Sequence, residues 1–189
     1  MEGPDFLYDR SEREIMIYYC RWDNDSDLAS HDLLKHAVEA YLSEDQESFT
    51  VCTDEEHGKP YVQELPDVYF SITHSGGYWA CAVGDCEVGL DLQEVRDRET
   101  DKIAKRFFHP SEIAWLKDKD AEEFFRIWAM KESYIKYTGK GLTEGLDYFS
   151  VVDGVPAFQQ EVLFREGYCM ALTSAYEAAI CLEQLPSFD

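Results

Sequence analysis

Three charged side chains between Asp120 and Tyr137 could do chemistry together. At about 100° per residue, with Phe124 set at zero, Ile127 falls at about 300°, Lys131 at about 340°, Ile135 at about 20° and Trp128 at about 40°. Lys131 therefore sits inside an apolar stripe. Glu132 and Lys136, at about 80° and about 120°, lie on its shoulder. Each has an ordinary use. Lys131 could snorkel past the aromatics to solvent, and Glu132 and Lys136 could form a surface i,i+4 pair. Taken together, two ammonium groups and a carboxylate along one helix edge suit a metal-bound polyphosphate, the cations neutralising oxygens and the carboxylate holding Mg2+.

Mg2+ needs more than one protein oxygen, and Asp91 is the second candidate. It ends the apolar run Val88-Gly89-Leu90-Asp91-Leu92, and strand alternation puts it on one face with Gly89 and Gln93. Solvated exposure is the ordinary alternative. A strand glycine marks close approach by a ligand or another backbone. His74, between Thr73 and Ser75 with glycines behind it, and Lys59 in Gly58-Lys59-Pro60 are further candidates for phosphate contact. Both residue types are usually surface residues in turns.

The elements that must position these residues are legible in outline. Glu14–Cys20 reads as a strand and His31–Leu42 as an amphipathic helix, with polar loop over Ser43–Glu56. Val68–Thr73 and Tyr78–Val83 read as a hairpin around His74-Ser75-Gly76-Gly77, followed by a strand over Cys86–Leu92. Helices are expected over Thr100–Phe108, from Pro110, and from Asp120 as N-cap with Glu123 three residues on, the last ending near Gly139. Phe149–Val152, Tyr168–Thr173 and Ala178–Leu182 read as closing strands. Residues 69–83 and 168–182 share one pattern: strand, Thr/Ser turn, aromatic, strand. That is either hairpin similarity or a duplicated α+β unit with a pseudo-twofold axis, whose cleft would hold the ligand.

Composition limits the partners. The 189 residues are 45% hydrophobic and 14% aromatic, enough for a core of one domain or two small ones. With 17 Lys plus Arg against 39 Asp plus Glu, the formal charge is −22, which disfavours nucleic acid and anionic lipid as partners. No apolar run is long enough to span a membrane. The acidic start lacks an apolar h-region, so no secretory signal is expected. Six cysteines without a CxxC pair suggest buried thiols in a reducing cytoplasm.

The order of the motifs is more specific than any one of them. His57-Gly-Lys-Pro60, Phe70-Ser-Ile-Thr-His-Ser75, Val88-Gly-Leu-Asp91, Arg106-Phe-Phe-x-x-x-Glu112 and Trp128-x-x-Lys-Glu-Ser-Tyr-x-Lys136 follow one another, with Gly139-Lys140-Gly141-Leu142 continuing the last. From about His57 to Leu142 the chain resembles the 4′-phosphopantetheinyl transferases of the larger, two-lobed type, which modify carrier proteins of peptide and polyketide synthesis. The resemblance implies an α+β fold of two similar lobes related by a pseudo-twofold axis. Each lobe would be a small, mostly antiparallel sheet packed with helices, with the active site between them. Residues 1–84 would form the lobe facing the 3′-phosphate of coenzyme A, and residues 85–189 the lobe with metal and catalytic motifs.

It further implies that a carrier serine attacks the β-phosphate of coenzyme A and 3′,5′-ADP leaves. Asp91 and Glu132 would hold Mg2+, with Glu132 also the general base, directly or through water. Lys131 and Lys136 match the phosphate-handling lysines, Thr73 and His74 the grip on the 3′-phosphate, and Lys59 a coenzyme-side lysine. Two departures stand out. Gln93 replaces a second carboxylate, so its amide oxygen would ligate Mg2+ without charge, or a water would take its place. The N-terminal half is acidic where the family is basic, with Lys35 its one helix cation. Since carrier proteins are typically acidic, Lys102, Lys105 and Arg106 are expected to form the landing patch, with Phe107 or Phe108 as its apolar contact. A monomer is expected. A coenzyme- or carrier-binding module and a Mg2+-dependent nucleotide hydrolase are the alternatives from other classes.

Overall fold

A computed structural model describes residues 13–22, 30–54, 58–141 and 145–186. His57 and Leu142 of the motifs lie outside them. Strand β1 (Glu14–Arg21) sorts its side chains by parity. Ile15 and Ile17 enter one core, Tyr18 and Cys20 another. The next strands of its sheet, β4 (Tyr69–Ser75) and β5 (Tyr78–Gly84), form the expected hairpin, and β5 is buried throughout. Tyr78, Ala80 and Ala82 join the first core, Trp79, Cys81 and Val83 the second. Helix α1 (Ser30–Leu42) closes the second core with Leu33, Leu34, Ala37 and Val38. His74 is the sixth residue of β4 rather than part of the turn, which falls on Gly76-Gly77.

A second sheet, of order β6-β8-β7, is built from β6 (Val88–Glu94), β8 (Tyr168–Ser174) and β7 (Phe158–Val162). Its inner face lends Val88, Leu90, Leu92, Met170 and Leu172 to the core shared with β1 and β5. Its outer face carries helix α4 (Ala121–Thr138), capped by Asp120 Oδ1, which accepts from the Glu123 N–H at 3.1 Å, and closed by Gly139 at φ 70°. Helices α2 (Thr100–Phe107) and α3 (Pro110–Trp115) pack beside α4 around Phe108, Phe124 and Phe125. Gly89 explains how closely α4 lies on β6. A Cβ there would overlap the Ser133 carbonyl oxygen and the Tyr137 amide nitrogen, so the approaching backbone is that helix.

The class is α+β with small, mostly antiparallel sheets, as expected. Three details differ. Phe149–Val152 is irregular, because its backbone binds buried charges on α3 and α4 rather than a neighbouring strand. The polar stretch before residue 57 contains strand β2 (Val51–Thr53), paired with β3 (Pro60–Val62). The second expected hairpin opens: β8 pairs with β6 and β7, while β9 (Ala179–Gln184) crosses to lie parallel to β1, giving the order β4-β5-β1-β9. The expected boundary after residue 84 is thus crossed by the last strand, and a pseudo-twofold axis does not follow from this pairing. Among the described residues no helix is long and apolar enough to cross a membrane.

Candidate active site

The two sheets meet along β4 and β6, each an edge strand of its own sheet. Side chains replace main-chain pairing there. The Ser71, Thr73 and Ser75 hydroxyls accept the N–H groups of Leu90, Leu92 and Glu94 at 2.9, 3.1 and 2.9 Å. The spacing of two puts all three hydroxyls on one side of β4, matching the repeat of β6. Two ammonium groups take the edge carbonyls. Lys136 Nζ donates to Ile72 O at 3.3 Å and Leu90 O at 3.0 Å. Lys59 Nζ donates to Val88 O at 3.1 Å and Tyr137 O at 3.2 Å, and pairs with Glu87. The seam therefore satisfies exposed edge groups without fusing the sheets.

Asp91 lies in this seam, only 4% exposed. Its Oδ1 accepts from Lys136 Nζ at 2.7 Å and from Thr73 Oγ1 at 3.3 Å, and its Oδ2 from Gln93 Nε2 at 2.7 Å. Glu132, half-buried on α4, has its carboxyl pushed above the usual glutamate range by burial and then by the charge of Asp91, with Lys136 pulling it back. The two carboxylates are within electrostatic reach of each other. Hard oxygen donors whose mutual repulsion a dication would relieve fit Mg2+, which commonly takes one or two protein carboxylates and completes its shell with water and phosphate. Among the described residues no group of three His, Cys, Asp or Glu side chains could hold a metal.

Lys59 and Lys136 flank a groove: a cavity of ≈ 640 Å³ runs past Lys59, Tyr61, Tyr69, Phe70 and Tyr137. It adjoins one of ≈ 300 Å³ reaching Ser71, Ile72 and Lys136. His74 is exposed on the next position of β4, its ring 4.9 Å from that of Trp22, and lines a polar cavity of ≈ 260 Å³ with Gln93, Glu94, Arg96 and Arg98. Thr73 is buried with its hydroxyl toward Asp91. Lys131 is 0% exposed, and so is Glu112. Its Nζ lies 2.7 Å from Glu112 Oε2 and donates to Phe149 O at 2.7 Å, over the Phe149 ring. Burial pulls its pKa down and Glu112 pulls it up. An ammonium so enclosed has no surface left for a phosphate, unlike the expectation for it.

On α2, Lys102, Lys105, Arg106 and Phe107 are exposed, and Lys102 pairs with Glu99. Phe108 is 3% exposed and stacked on Phe124 in the core, so of the two expected aromatics Phe107 is the one left at the surface. Sequence reasoning gave no role to Glu112, Ser71 or Ser75. Each had a signal, the first as the end of Arg106-Phe-Phe-x-x-x-Glu and the others as hydroxyls two apart on either side of Thr73.

The family model of the 4′-phosphopantetheinyl transferase superfamily matches residues 87–181, half of the chain. A 4′-phosphopantetheinyl transferase of Bacillus subtilis is 46% identical over 101 residues, 51% of this chain and 45% of that protein. The 4′-phosphopantetheinyl transferase Sfp of Bacillus subtilis (strain 168) is 34% identical over 150 residues, 77% and 66% of the two chains. The 4′-phosphopantetheinyl transferase psf-1 of Bacillus pumilus is 34% identical over 165 residues, 82% and 69%. The match thus spans between under half and just over two thirds of these relatives.

Proposed function

This chain belongs to the 4′-phosphopantetheinyl transferase superfamily, and we propose that it transfers the 4′-phosphopantetheine arm of coenzyme A to a serine of an acyl or peptidyl carrier protein. The observation that carries the reading is the buried Asp91 carboxylate at the seam, with Lys136 against it and Glu132 near enough to feel its charge. Asp91 and Glu132 would hold Mg2+, with Gln93 beside Asp91 as a neutral third position. When bound, the metal supplies charge neutralisation for the diphosphate oxygens as the nucleotide leaves.

The chain's own groups do the rest. The carrier serine oxygen bonds to the β-phosphorus, its proton passes to Glu132, and the bond from that phosphorus to the bridging oxygen breaks, releasing 3′,5′-ADP. Glu132, directly or through a water, is the group placed to take that proton. Lys136 and Lys59 line the groove, where their charges favour phosphate oxygens, and His74, in a separate polar cavity with Arg96 and Arg98, would take the 3′-phosphate. Lys131 serves through its pair with Glu112, holding α4 in place. Two lobes dividing near residue 84, with the last strand returning to the sheet of the first, a monomeric state and a cytoplasmic setting complete the reading. Six free thiols support a reducing compartment.

Incubating a carrier protein with coenzyme A, Mg2+ and this protein tests it by intact mass. A gain of one phosphopantetheine arm, lost with Asp91→Asn or with chelator, is the expected outcome. No gain across fatty-acid, polyketide and peptide carriers overturns it; retained coenzyme A binding would then favour a binding module, and free inorganic phosphate a hydrolase.

A further inference from the structure

The seam between the sheets gives Thr73 two partners where Ser71 and Ser75 have one. All three hydroxyls accept an N–H of β6, but Thr73 Oγ1 also lies 3.3 Å from Asp91 Oδ1. A hydroxyl has one proton and accepts through its lone pairs, whereas an ionised carboxylate only accepts. With Leu92 N–H on a lone pair, the Thr73 proton remains to donate to the carboxylate. Asp91 is thereby held from three elements at once: Thr73 on β4, Gln93 on β6 and Lys136 on α4. Thr73 and Asp91 are both about 4% exposed, so neither can satisfy the contact with bulk water.

We infer that Thr73 is a positioning residue: its hydroxyl orients the Asp91 carboxylate for a divalent cation, across the seam that joins the two sheets. This rests on the proposed role of Asp91 as a metal carboxylate. The polar neighbours of a ligating carboxylate fix its direction and basicity, and their loss costs metal affinity about 10- to 100-fold in characterised sites.

Mn2+ binding to the full chain, followed by electron paramagnetic resonance without coenzyme A, provides the test. Thr73→Val keeps the shape and removes the hydroxyl; it is expected to weaken Mn2+ affinity about tenfold. Thr73→Ser is expected to restore it. Ser71→Ala removes a rung of the same ladder without touching Asp91. It should lower the unfolding midpoint and leave Mn2+ affinity unchanged, which separates positioning from mere support. If Thr73→Val does not fold, Thr73→Cys, with its weak donor, replaces it and should bind Mn2+ less tightly than Thr73→Ser. Equal affinity of the hydroxyl-free and hydroxyl-bearing variants, or an equal loss in Ser71→Ala, overturns the inference alone. A wild-type chain that binds no Mn2+, or binds it equally well as Asp91→Asn, overturns the metal reading and this inference together.

Discussion

Burial and the nearby charge of Asp91 both resist ionisation of Glu132, and Lys136 only partly offsets them. A carboxyl whose folded pKa exceeds its unfolded value of about 4.3 keeps a proton in the native state that the unfolded chain releases. Stability therefore falls as pH rises through the interval between those two values, then levels off. In chelator, wild type should lose unfolding midpoint across that interval while Glu132→Gln does not. Above it the variant should melt higher than wild type. Parallel pH curves would remove Glu132 from a strained acidic pair. Gln93 admits a companion experiment. Its amide donates to Asp91 Oδ2 at 2.7 Å, and a glutamate there could only accept. Gln93→Glu should melt lower than wild type in chelator and gain more from added Mg2+, because a third carboxylate adds repulsion that only a dication removes. An unchanged or smaller Mg2+ gain would place residue 93 outside the metal's reach.

At the scale of elements, α4 must be held in register for Glu132 and Lys136 to reach the seam, and two contacts do this. Gly89 lets the helix backbone meet β6; Gly89→Ala should cost about 1–3 kcal/mol, as overpacking does, read by urea unfolding. The enclosed Lys131–Glu112 pair ties α4 to α3 and, through the Val151 N–H on Glu112 Oε1 at 2.8 Å, to the segment after Phe149. Lys131→Met alone should cost about 3–5 kcal/mol by stranding a buried carboxylate, and adding Glu112→Leu should recover much of it. Additive losses would show that the two do not act as a pair. Local signals made much of this readable from sequence. The 3.6-residue stripe, Asp120 and Gly139 delimit α4, and Gly76-Gly77 places the hairpin turn. What was hidden is non-local. Lys131 in an apolar stripe signals an unusual environment, but nothing in the helix says that its partner is Glu112. Apolar Phe149–Val152 looks like a strand until those charges claim its backbone. Phe158–Val162, with Gln159, Gln160 and Glu161, lacks the alternation that marks a strand, because it is a half-exposed edge. No local pattern reveals that β9 leaves β8 for β1.

For the whole molecule, the charge of −22 sets two opposite responses to salt. Self-repulsion of so acidic a chain destabilises the compact state. Raising ionic strength from about 0.01 M to about 0.15 M shortens the screening length from about 30 Å to about 8 Å, so the unfolding midpoint should rise. Meeting an acidic carrier should respond the other way if Lys102, Lys105 and Arg106 on α2 guide it, since screening weakens a local attraction as well as the general repulsion. The exposed ring of Phe107, with the Arg106 guanidinium 5.1 Å above it, gives that helix an apolar contact beside its charges. Reversing all three charges should raise the carrier KM several-fold at low salt and remove its rise with salt. The increase of the midpoint with salt should persist, because the variant is more acidic still. A carrier KM that follows salt identically in wild type and variant would exclude α2 as the landing site, even if transfer itself proceeds.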